Sequence, residues 1–497
     1  REPEGLTAIE ETTFYGCSSL KKLTIPSTVT RLGTQAFCGC PIKILIIPAS
    51  VQVFDSSSLQ ASTGTIIIMQ STTPPSIPDD VLESVGLQVF SNIIVPDGSK
   101  SAYQNANVWN RYSDKIVERS EAGGILTEEV TIDQIKYKLN YENYTAEVIS
   151  KTDKYSGTVV IPSSVIHDQV SYTVNGIGDH AFYQCTGLTE LTIPASISYI
   201  GTTSGSSEVF RGCNENSFEK VHISDLEAWC RIAFADDYYA NPLGVAHHLY
   251  LNDSEISDLI IPSTITTLGV FQFTGCYGLN SVTIPQSVVN FSGAVFFDCK
   301  HIQSVNIPSG VTSIGVNMFN GCTQLTSVDL PNNITTISTG AFKRTGLTSI
   351  RIPNTVISIG DEAFCSCTNL NSVTVERNTP LVITEITFTN SSNATLYVPA
   401  GSVSAYSAAN YWKDFKSIEA IVEDSPEQEV TDAQGVIYTL NNDGQTYIVS
   451  GHTDACTGAI TIPATVNGCS VTSMKDRAFL NCISRSEERR VGKECRS

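Results

Sequence analysis

The amino-acid sequence predicts a repeat solenoid built mainly from parallel β-strands, with short 3-10 or helical turns. The first observation is a repeat of 23 residues between positions 276 and 331. Two residue types mark it, namely Cys276, Cys299 and Cys322, and Pro285, Pro308 and Pro331. The second observation is one strand-like Leu-x-x-Val-x-Ile pattern in each repeat. A repeat of about 20–29 residues with one such strand is typical of a leucine-rich repeat solenoid.

The repeat unit that begins at Leu279 reads Leu-x-x-Val-x-Ile-Pro-x-x-Val-x-x-Phe-x-x-x-x-Phe-x-x-Cys. It recurs at 20–40, at 188–213 with extra residues, at 325–345, at 347–367 and, in part, at 462–482. Val282 and Ile284 alternate with Thr283, so one strand face is expected to be buried and the other to meet water. Pro285 has no N–H to donate and is expected to end the strand.

The second half of the unit is expected to return the chain to the start of the next strand. Val288 and Phe291 begin this return leg. Phe296 and Cys299 are three residues apart, which suits one tight helical or 3-10 turn that faces inward. A single coil cannot bury its apolar face, but stacked coils form a continuous core.

Cysteine occurs fifteen times, and nine of these residues stand three positions after a repeat Phe. The nine are Cys17, Cys40, Cys185, Cys213, Cys276, Cys299, Cys322, Cys367 and Cys482. Free Cys behaves as a small buried hydrophobe, so we expect a ladder of buried thiols. Thr345 replaces Cys in one repeat, which fits a size constraint better than a pairing constraint. Disulfides and metal sites are the alternative interpretations.

A longer repeat is superimposed on the short one. Residues 95–109 and 398–412 share the pattern Val-Pro-x-Gly-Ser…Ala-Tyr…Ala…Trp. Each predicts a short amphipathic helix whose large aromatic residue seals the open end of a solenoid. Residues 137–140 and 438–441 are 301 positions apart and predict hairpin-like openings, with Asp443-Gly444 as a favourable turn dipeptide.

These markers divide the chain into three arrays. Residues 1–118 are the C-terminal part of a first array with its capping helix. Residues 129–421 are a complete second array, with an irregular insert at 202–250 and a cap at 398–418. Residues 431–482 start a third array, and the connectors 120–128 and 422–429 are polar. Because the first array begins in mid-repeat and no signal segment precedes it, we expect a fragment of a longer chain.

The last residues, 484–497, carry five basic and three acidic groups and break the repeat pattern. They are expected to be a non-native tail and are excluded from the fold prediction.

At the level of whole motifs, the sequence resembles a known family. Residues 177–185, Ile-Gly-Asp-His-Ala-Phe-Tyr-Gln-Cys, and 188–194, Leu-Thr-Glu-Leu-Thr-Ile-Pro, resemble BspA-type leucine-rich repeats, also called the Treponema pallidum type. The Val-Pro-x-Gly-Ser…Ala-Tyr…Trp ending is similar to array closures of gut Bacteroidetes members. The resemblance covers nearly all of 6–482. It implies an extracellular or cell-surface protein of a family described as adhesins for host matrix proteins or other microbes. The family has no shared catalytic residues.

Composition excludes several classes of function. The chain has 50 acidic and 30 basic residues and a net charge of −20, which argues against sequence-independent binding to nucleic acid or to an anionic membrane. No run of residues approaches the ~18 apolar residues that a membrane span requires. No P-loop, G-x-S-x-G, H-E-x-x-H or CxxC motif occurs, so we expect neither an enzyme nor a cofactor.

The insert at 202–250 is the region that departs from the repeat. Asp225 is expected to cap a short helix over 226–234. A metal site would use His247, His248, Asp236 or Asp237, but adjacent histidines on a strand point to opposite faces. Asp236 and Asp237 lack a third partner for general acid–base catalysis. We therefore predict an irregular repeat with an inserted helix.

The remaining candidate site is the outward face of the strands. Its residues form columns at the repeat spacing: Ser281, Ser304, Ser327, Ser349 and Ser372, and Thr283, Asn306, Asp329, Arg351 and Thr374. In a solenoid these columns line the usual binding surface. We predict adhesion to a protein or glycan ligand on a host matrix or another microbial surface. The alternatives are a spacer that displays another domain, and side chains that only solvate a strand face.

Overall fold

A computed structural model describes residues 5–60, 64–81, 83–84, 87–88, 90–202, 207–421, 429–440, 446–453, 460–467, 469–475 and 478–479. The chain forms two compact units, Arg1–Glu419 and Ala420–Ser497. The first unit is a solenoid of stacked coils with mainly parallel strands. The predicted fold class is therefore confirmed. The division into three arrays stays a prediction, and the terms first array (1–118) and second array (129–421) keep their meaning below.

The longer strands of the coils form a main row. In the first array they are Ile44–Ile47, Thr65–Met69, Phe90–Val95 and Ile116–Glu118. In the second they are Ser156–Val160, Gly187–Ile193, Lys220–Ile223, Leu249–Leu251, Asp258–Ile260, Ser281–Thr283, Ser304–Val305, Ser349–Ile352, Ser372–Val375, Thr395–Val398 and Ser417–Ala420. Pairing is parallel, with Val282 opposite Val305 and Ile350 opposite Val373. Because equivalent residues face each other, the apolar strand positions stack into one core.

The return legs carry a second row of strands that the sequence did not predict. These strands are Ala8–Ile9, Arg31–Leu32, Val53–Phe54, Val170–Ile177, Tyr199–Ile200, Ala233–Phe234, Thr267–Leu268, Asn290–Phe291, Ser313–Ile314, Thr336–Ile337 and Ser358–Ile359. Most are two residues long, with the second residue buried, as in Leu268 and Ile314. So short a run has no readable alternation, which is why a sequence pattern does not reveal it.

Antiparallel strands open the second array. Thr127–Ile132 pairs with Ile135–Asn140, which pairs with Thr145–Val148. In the described part of the first unit, three further antiparallel strand pairs are Ser164–His167 with Val170–Ile177, Glu83–Ser84 with Leu87–Gln88, and Leu249–Leu251 with Ser254–Glu255.

Helices are short. The α-helices of the described residues are Lys100–Asn105, Leu226–Arg231, Leu243–Ala246 and Val403–Ala408, and the 3-10 helices are Trp109–Tyr112, Arg119–Glu121, Tyr238–Ala240, Ala400–Ser402 and Trp412–Asp414. They lie near the ends of the first two predicted arrays and in the 202–250 insert, and the repeat turns themselves contain none.

The repeat Phe residues form a ladder of stacked rings in the core. From Phe273 through Phe296, Phe319, Phe342 and Phe364 to Phe388, adjacent centroids are 5.8, 5.8, 5.6, 5.5 and 5.0 Å apart, with nearly parallel rings. Trp412 ends the ladder, 5.6 Å from Phe388. Each added coil therefore buries the exposed ring of the coil before it.

The turn that carries each Phe differs in detail from the predicted helical or 3-10 turn. The Phe297 N–H donates to the Ala294 carbonyl (3.2 Å), and the Cys299 N–H donates to that of Phe296 (3.3 Å). The residues two before and two after Phe296, Ala294 and Asp298, have φ of 58° and 56°. Left-handed residues at both positions interrupt a helix and fold the segment into consecutive tight turns.

Twelve cysteines lie in the described residues, and all twelve are free thiols. The predicted burial is confirmed for Cys40, Cys185, Cys276, Cys299, Cys322 and Cys367. Cys213 is half-buried, and Cys17 is exposed, so the prediction of burial was wrong for Cys17. Cys482 lies outside the described residues.

The second unit contains the strands Glu429–Thr431, Val436–Leu440, Thr446–His452, Thr465–Val466 and Cys469–Met474 in one sheet. Val436, Tyr438, Tyr447 and Val449 form the centre of its core. The predicted Asp443-Gly444 turn, residues 422–428 of the connector and the tail at 484–497 lie outside the described residues.

Candidate functional site

The candidate face is formed by outward residues of the main row in the second array. Ser281 lies opposite Ser304, and Ser349 lies opposite Ser372. In the neighbouring column, Arg351 lies opposite Thr374, and Asn306 and Asp329 form a parallel bridge. Ser327 is exposed, as are Thr283, Asn306, Asp329, Ser349 and Arg351. The structure thus brings the predicted columns onto one open surface.

Several of these side chains already have partners in neighbouring coils. The Ser281 hydroxyl donates to Asp258. The Asn306 amide bonds both to the Ile284 N–H, at 2.9 Å, and to the Ile284 carbonyl, at 3.0 Å. The Asn306 side chain takes the place of backbone hydrogen bonds between neighbouring strands, because the N–H and carbonyl groups of the backbone need hydrogen-bond partners. Asn306 is therefore a structural residue as well as a surface residue.

Arg351 is the centre of a charged group on this face. Its guanidinium donates to both Glu376 carboxylate oxygens, at 2.6 and 2.8 Å, and to the Asn332 side chain at 2.7 Å. A two-pronged Arg–carboxylate pair fixes the position of the guanidinium. The sequence analysis did not identify Glu376 because it lies just beyond the strand.

Tyr397 extends the same column and was also missed. It is half-buried and lies opposite Thr374. Its position, 23 residues after Thr374, follows the repeat spacing, so the periodicity contained the signal that would have found it. An aromatic ring next to Thr374, in the same column as Arg351, gives this end of the face the residue types enriched in binding surfaces.

The equivalent face of the first array is covered. Four of its outward residues, Ile44, Ile66, Ile68 and Ile94, are at most 3% exposed. They share a buried cluster with Leu126, Tyr137 and Leu139 of the opening hairpin of the second array. The alternate residues Leu45 and Ile67 belong to the interior core of the first array. These covered isoleucines contrast with the open polar columns of the second array.

The connector between these arrays is structured. The 3-10 helix Arg119–Glu121 follows directly on the strand Ile116–Glu118. Lys100 pairs with Glu121 at 2.8 Å, and the Ser120 N–H donates to Asp97 at 2.9 Å. The predicted polar connector at 120–128 is thus bonded at its start to the end of the first array.

The insert contains a second charged cluster on the outward face. Lys220 pairs with Glu190 at 2.9 Å, and this hydrogen bond lowers the pKa of Glu190. The His222 ring stacks on Tyr250 with centroids 5.1 Å apart. Strand pairing places Thr192 beside His222 and His222 beside Tyr250, so this cluster continues the column of Thr283. The sequence analysis did not identify His222 as part of this face.

The predicted inserted helix is present, but it is shorter than expected. Asp225 caps it, since its carboxylate accepts from the Ala228 N–H at 3.0 Å. The helix ends at Arg231 rather than at Phe234, because Ala233–Phe234 pairs as a strand with Tyr199–Ile200.

The residues considered for metal binding make separate contacts and do not form one cluster. Asp237 accepts from the N–H groups of Tyr239 and Glu208, at 2.9 and 2.8 Å. His247 stacks on Tyr277, with centroids 3.9 Å apart, whereas His248 bonds to Glu255. Asp236 is exposed. No group of three or more potential ligands occurs among the described residues.

Comparison with protein families gives one match. The BspA-type leucine-rich repeat region matches in six copies, over residues 2–108, 160–235, 245–371 and 336–422. No curated protein sequence shows a significant match to the chain.

Several solved structures have a similar fold. A leucine-rich cell surface protein from Faecalibacterium prausnitzii is 24% identical, with 59% of this chain and 72% of that chain covered and a TM-score of 0.33. A leucine-rich repeat protein from Bacteroides ovatus is 22% identical, with coverages of 59% and 76% and a TM-score of 0.36. The leucine-rich repeat protein of T. pallidum is 18% identical, with coverages of 49% and 91% and a TM-score of 0.29.

Proposed function

The chain belongs to the BspA-type leucine-rich repeat family, and we propose that it is a cell-surface or secreted adhesion protein. Its binding surface is the outward face of the main row in the second array. The ligand is a protein or a glycan of a host matrix or of another microbial surface. Binding of this kind needs no chemical step and no cofactor.

One observation supports this proposal: the outward sheet face contains buried isoleucines in the first array and exposed polar columns in the second. In the last coils of the first array, outward isoleucines such as Ile66 and Ile68 are buried in one cluster with residues of the next hairpin. In the second array the equivalent columns are polar, with Arg351 and Tyr397 at one end. A solenoid face that remains open is the usual binding surface of repeat proteins.

Charge and hydropathy support the same class of partner. A net charge of −20 opposes binding to nucleic acid phosphates. No helix of the described residues is both long and apolar enough to cross a membrane.

The test is binding of the full chain to immobilised matrix proteins and glycans, followed by variants on the open face. We expect Thr374→Arg combined with Arg351→Ala to weaken binding by about tenfold, because it removes an anchor and adds bulk on the binding surface. The matched control, Ser313→Arg combined with Ser358→Ala, changes exposed positions of the second row. Equal binding by both double variants would place the ligand elsewhere.

A spacer that displays another domain is the second candidate. It is favoured by the fact that Ser281, Asn306 and Arg351 are engaged by their own chain, as expected for residues that only stabilise and solvate a strand face. If no matrix protein or glycan binds, and cell adhesion is unchanged by the face variants, the spacer function is supported instead.

A further inference from the structure

A small groove lies where the first array meets the opening hairpin of the second. Lys21, Pro41 and Lys43 form one wall, and Tyr141, Asp168 and Tyr172 are among the residues of the other. Its volume is about 170 Å³, well below the ~300–1,000 Å³ of sites for drug-sized ligands. The groove is separate from the open face of the second array and has room for one small ring.

The groove gathers positive charge in an acidic protein. Lys21 and Lys43 occupy equivalent positions of consecutive coils, 22 residues apart. Equivalent residues of stacked strands lie roughly 4.8 Å apart, and like charges at such a spacing are unfavourable. Within the described part of the chain, Lys21, Lys22 and Lys43 form no ion pair with a carboxylate.

Two of these three lysines place their ammonium groups over tyrosine rings. The Lys22 Nζ lies 3.6 Å from the centroid of the Tyr144 ring, and the Lys43 Nζ lies 5.0 Å from that of Tyr141. A cation over an aromatic face keeps its charge and its N–H donors. Lys43 is therefore held at the groove without being neutralised, and together with Lys21 it can still attract an anion.

The other lining groups fit a sugar ring. Tyr172 packs against Tyr141 and Tyr144, with centroids 6.2 and 6.0 Å apart. Burial raises the pKa of Tyr172 to about 12, so its phenol stays neutral and does not repel an anion. Asp168 is the one carboxylate among the lining residues, and it lies 3.8 Å from His167. Pro41, Tyr141 and Tyr172 supply apolar lining that a pyranose ring can contact.

We propose that this groove binds one acidic sugar unit of a polysaccharide, with Lys21 and Lys43 on its carboxylate or sulfate group. An acidic peptide is the less suitable occupant, because peptides are usually recognised along an extended strand or helix groove, whereas this groove holds a single residue-sized group. The site exists only while the hairpin covers the first array, since each array supplies one wall.

Titration calorimetry of the full chain at low salt tests the site with defined probes. The probes are a galacturonate trisaccharide, a sulfated trisaccharide, neutral maltotriose and hexaglutamate. We expect one or both acidic sugars to bind, and the two arms show whether the carboxylate or the sulfate is preferred. Binding should weaken with added salt, because partly exposed charge pairs are screened.

The variant Lys21→Gln/Lys43→Gln is expected to lose about tenfold or more of this affinity, since two charge-assisted hydrogen bonds disappear. The control Lys413→Gln/Lys416→Gln removes the same charge from exposed lysines of the second cap and should bind like the unmodified chain. Circular dichroism and thermal unfolding check that both variants are folded. The proposal would be overturned if both double variants lost the same affinity, or if Lys21→Gln/Lys43→Gln bound like the unmodified chain. It would also be overturned if neither acidic sugar bound, or if hexaglutamate bound more tightly than the acidic sugars.

Discussion

At the residue scale, the position three residues after the repeat Phe is occupied in several coils by a small side chain that donates a hydrogen bond. The thiols of Cys40, Cys299, Cys322 and Cys367 lie 2.9, 3.0, 3.2 and 3.0 Å from the Phe carbonyl of the preceding coil. Ser391 makes the same bond at 2.6 Å. Thr345 keeps a donor but turns it to the carbonyl of Phe342 in its own coil. Size alone, as the sequence suggested, does not account for this choice; donor capacity does.

Burial should make these thiols unreactive. It raises the pKa of Cys276 to about 12 and that of Cys299 well above its usual range, so the reactive thiolate is scarce at neutral pH. We expect iodoacetamide to modify exposed Cys17 in the native protein and to spare Cys276 and Cys299 until denaturation. Peptide mass spectrometry without reductant measures both alkylation and pairing. Alkylation of Cys299 at the rate of Cys17, or disulfides among the repeat cysteines, would contradict the ladder.

At the element scale, the two predicted caps repeat one set of contacts. Trp109 donates from Nε1 to the Pro75 carbonyl, and Trp412 donates to that of Leu381, both at 2.8 Å. A Tyr packs edge-on against each Trp, with centroids 5.1 and 5.3 Å apart. The residue before each Trp has a φ of 68°. This left-handed residue turns the chain so that the indole lies across the last coil.

The cap should contribute strongly to stability. Trp412→Ala removes a fully buried indole and exposes the ring of Phe388, so we expect a loss of about 3–5 kcal/mol in the free energy of unfolding. Trp412→Phe retains an aromatic ring and loses the Leu381 bond, and its loss should be smaller. Denaturant unfolding of the full chain measures both, with exposed Lys413→Ala as the neighbouring control. If Trp412→Ala and Lys413→Ala unfold at the same denaturant concentration, the indole does not seal the array.

The sequence predicted the structural elements that recur in every repeat. It did not predict the features that depend on contacts with neighbouring coils. Alternation and Pro285 correctly marked the strands, and the Phe spacing marked the core turn. The left-handed turn positions were not predicted, because residues such as Asp298 and Ala294 occupy them and only the packed coil imposes that conformation. Asp225 predicted the start of its helix, but its end depends on the pairing of Ala233–Phe234 with another coil. The candidate face was predicted as columns, without the partners that Glu376 supplies.

At the scale of the whole first unit, the covered sheet face joins two predicted arrays. The sequence contained a signal that was not used, since Ile66, Ile67 and Ile68 form a continuous apolar run. Such a run is typical of a strand buried on both faces. The exposed Ile260, on the outward side of the second array, lies opposite the polar Thr283. Because the first array is covered and the second is open, the surface offered to a ligand depends on which outward positions are isoleucine.

Uncovering the first array should loosen the hairpin without unfolding the open face. Ile68→Asp places a charge in the buried cluster, which is strongly unfavourable. We expect faster hydrogen–deuterium exchange in Thr127–Ile132 and Ile135–Asn140, with Ser349–Ile352 and Ser372–Val375 unchanged. Ile68→Ala should act in the same direction and more weakly. The matched control is Ile260→Asp, which adds the same charge to an outward strand position that is 66% exposed, whereas Ile68 is 0% exposed. Exchange mass spectrometry resolves the segments, and unchanged hairpin exchange in Ile68→Asp would mean that the hairpin is held by its connector alone.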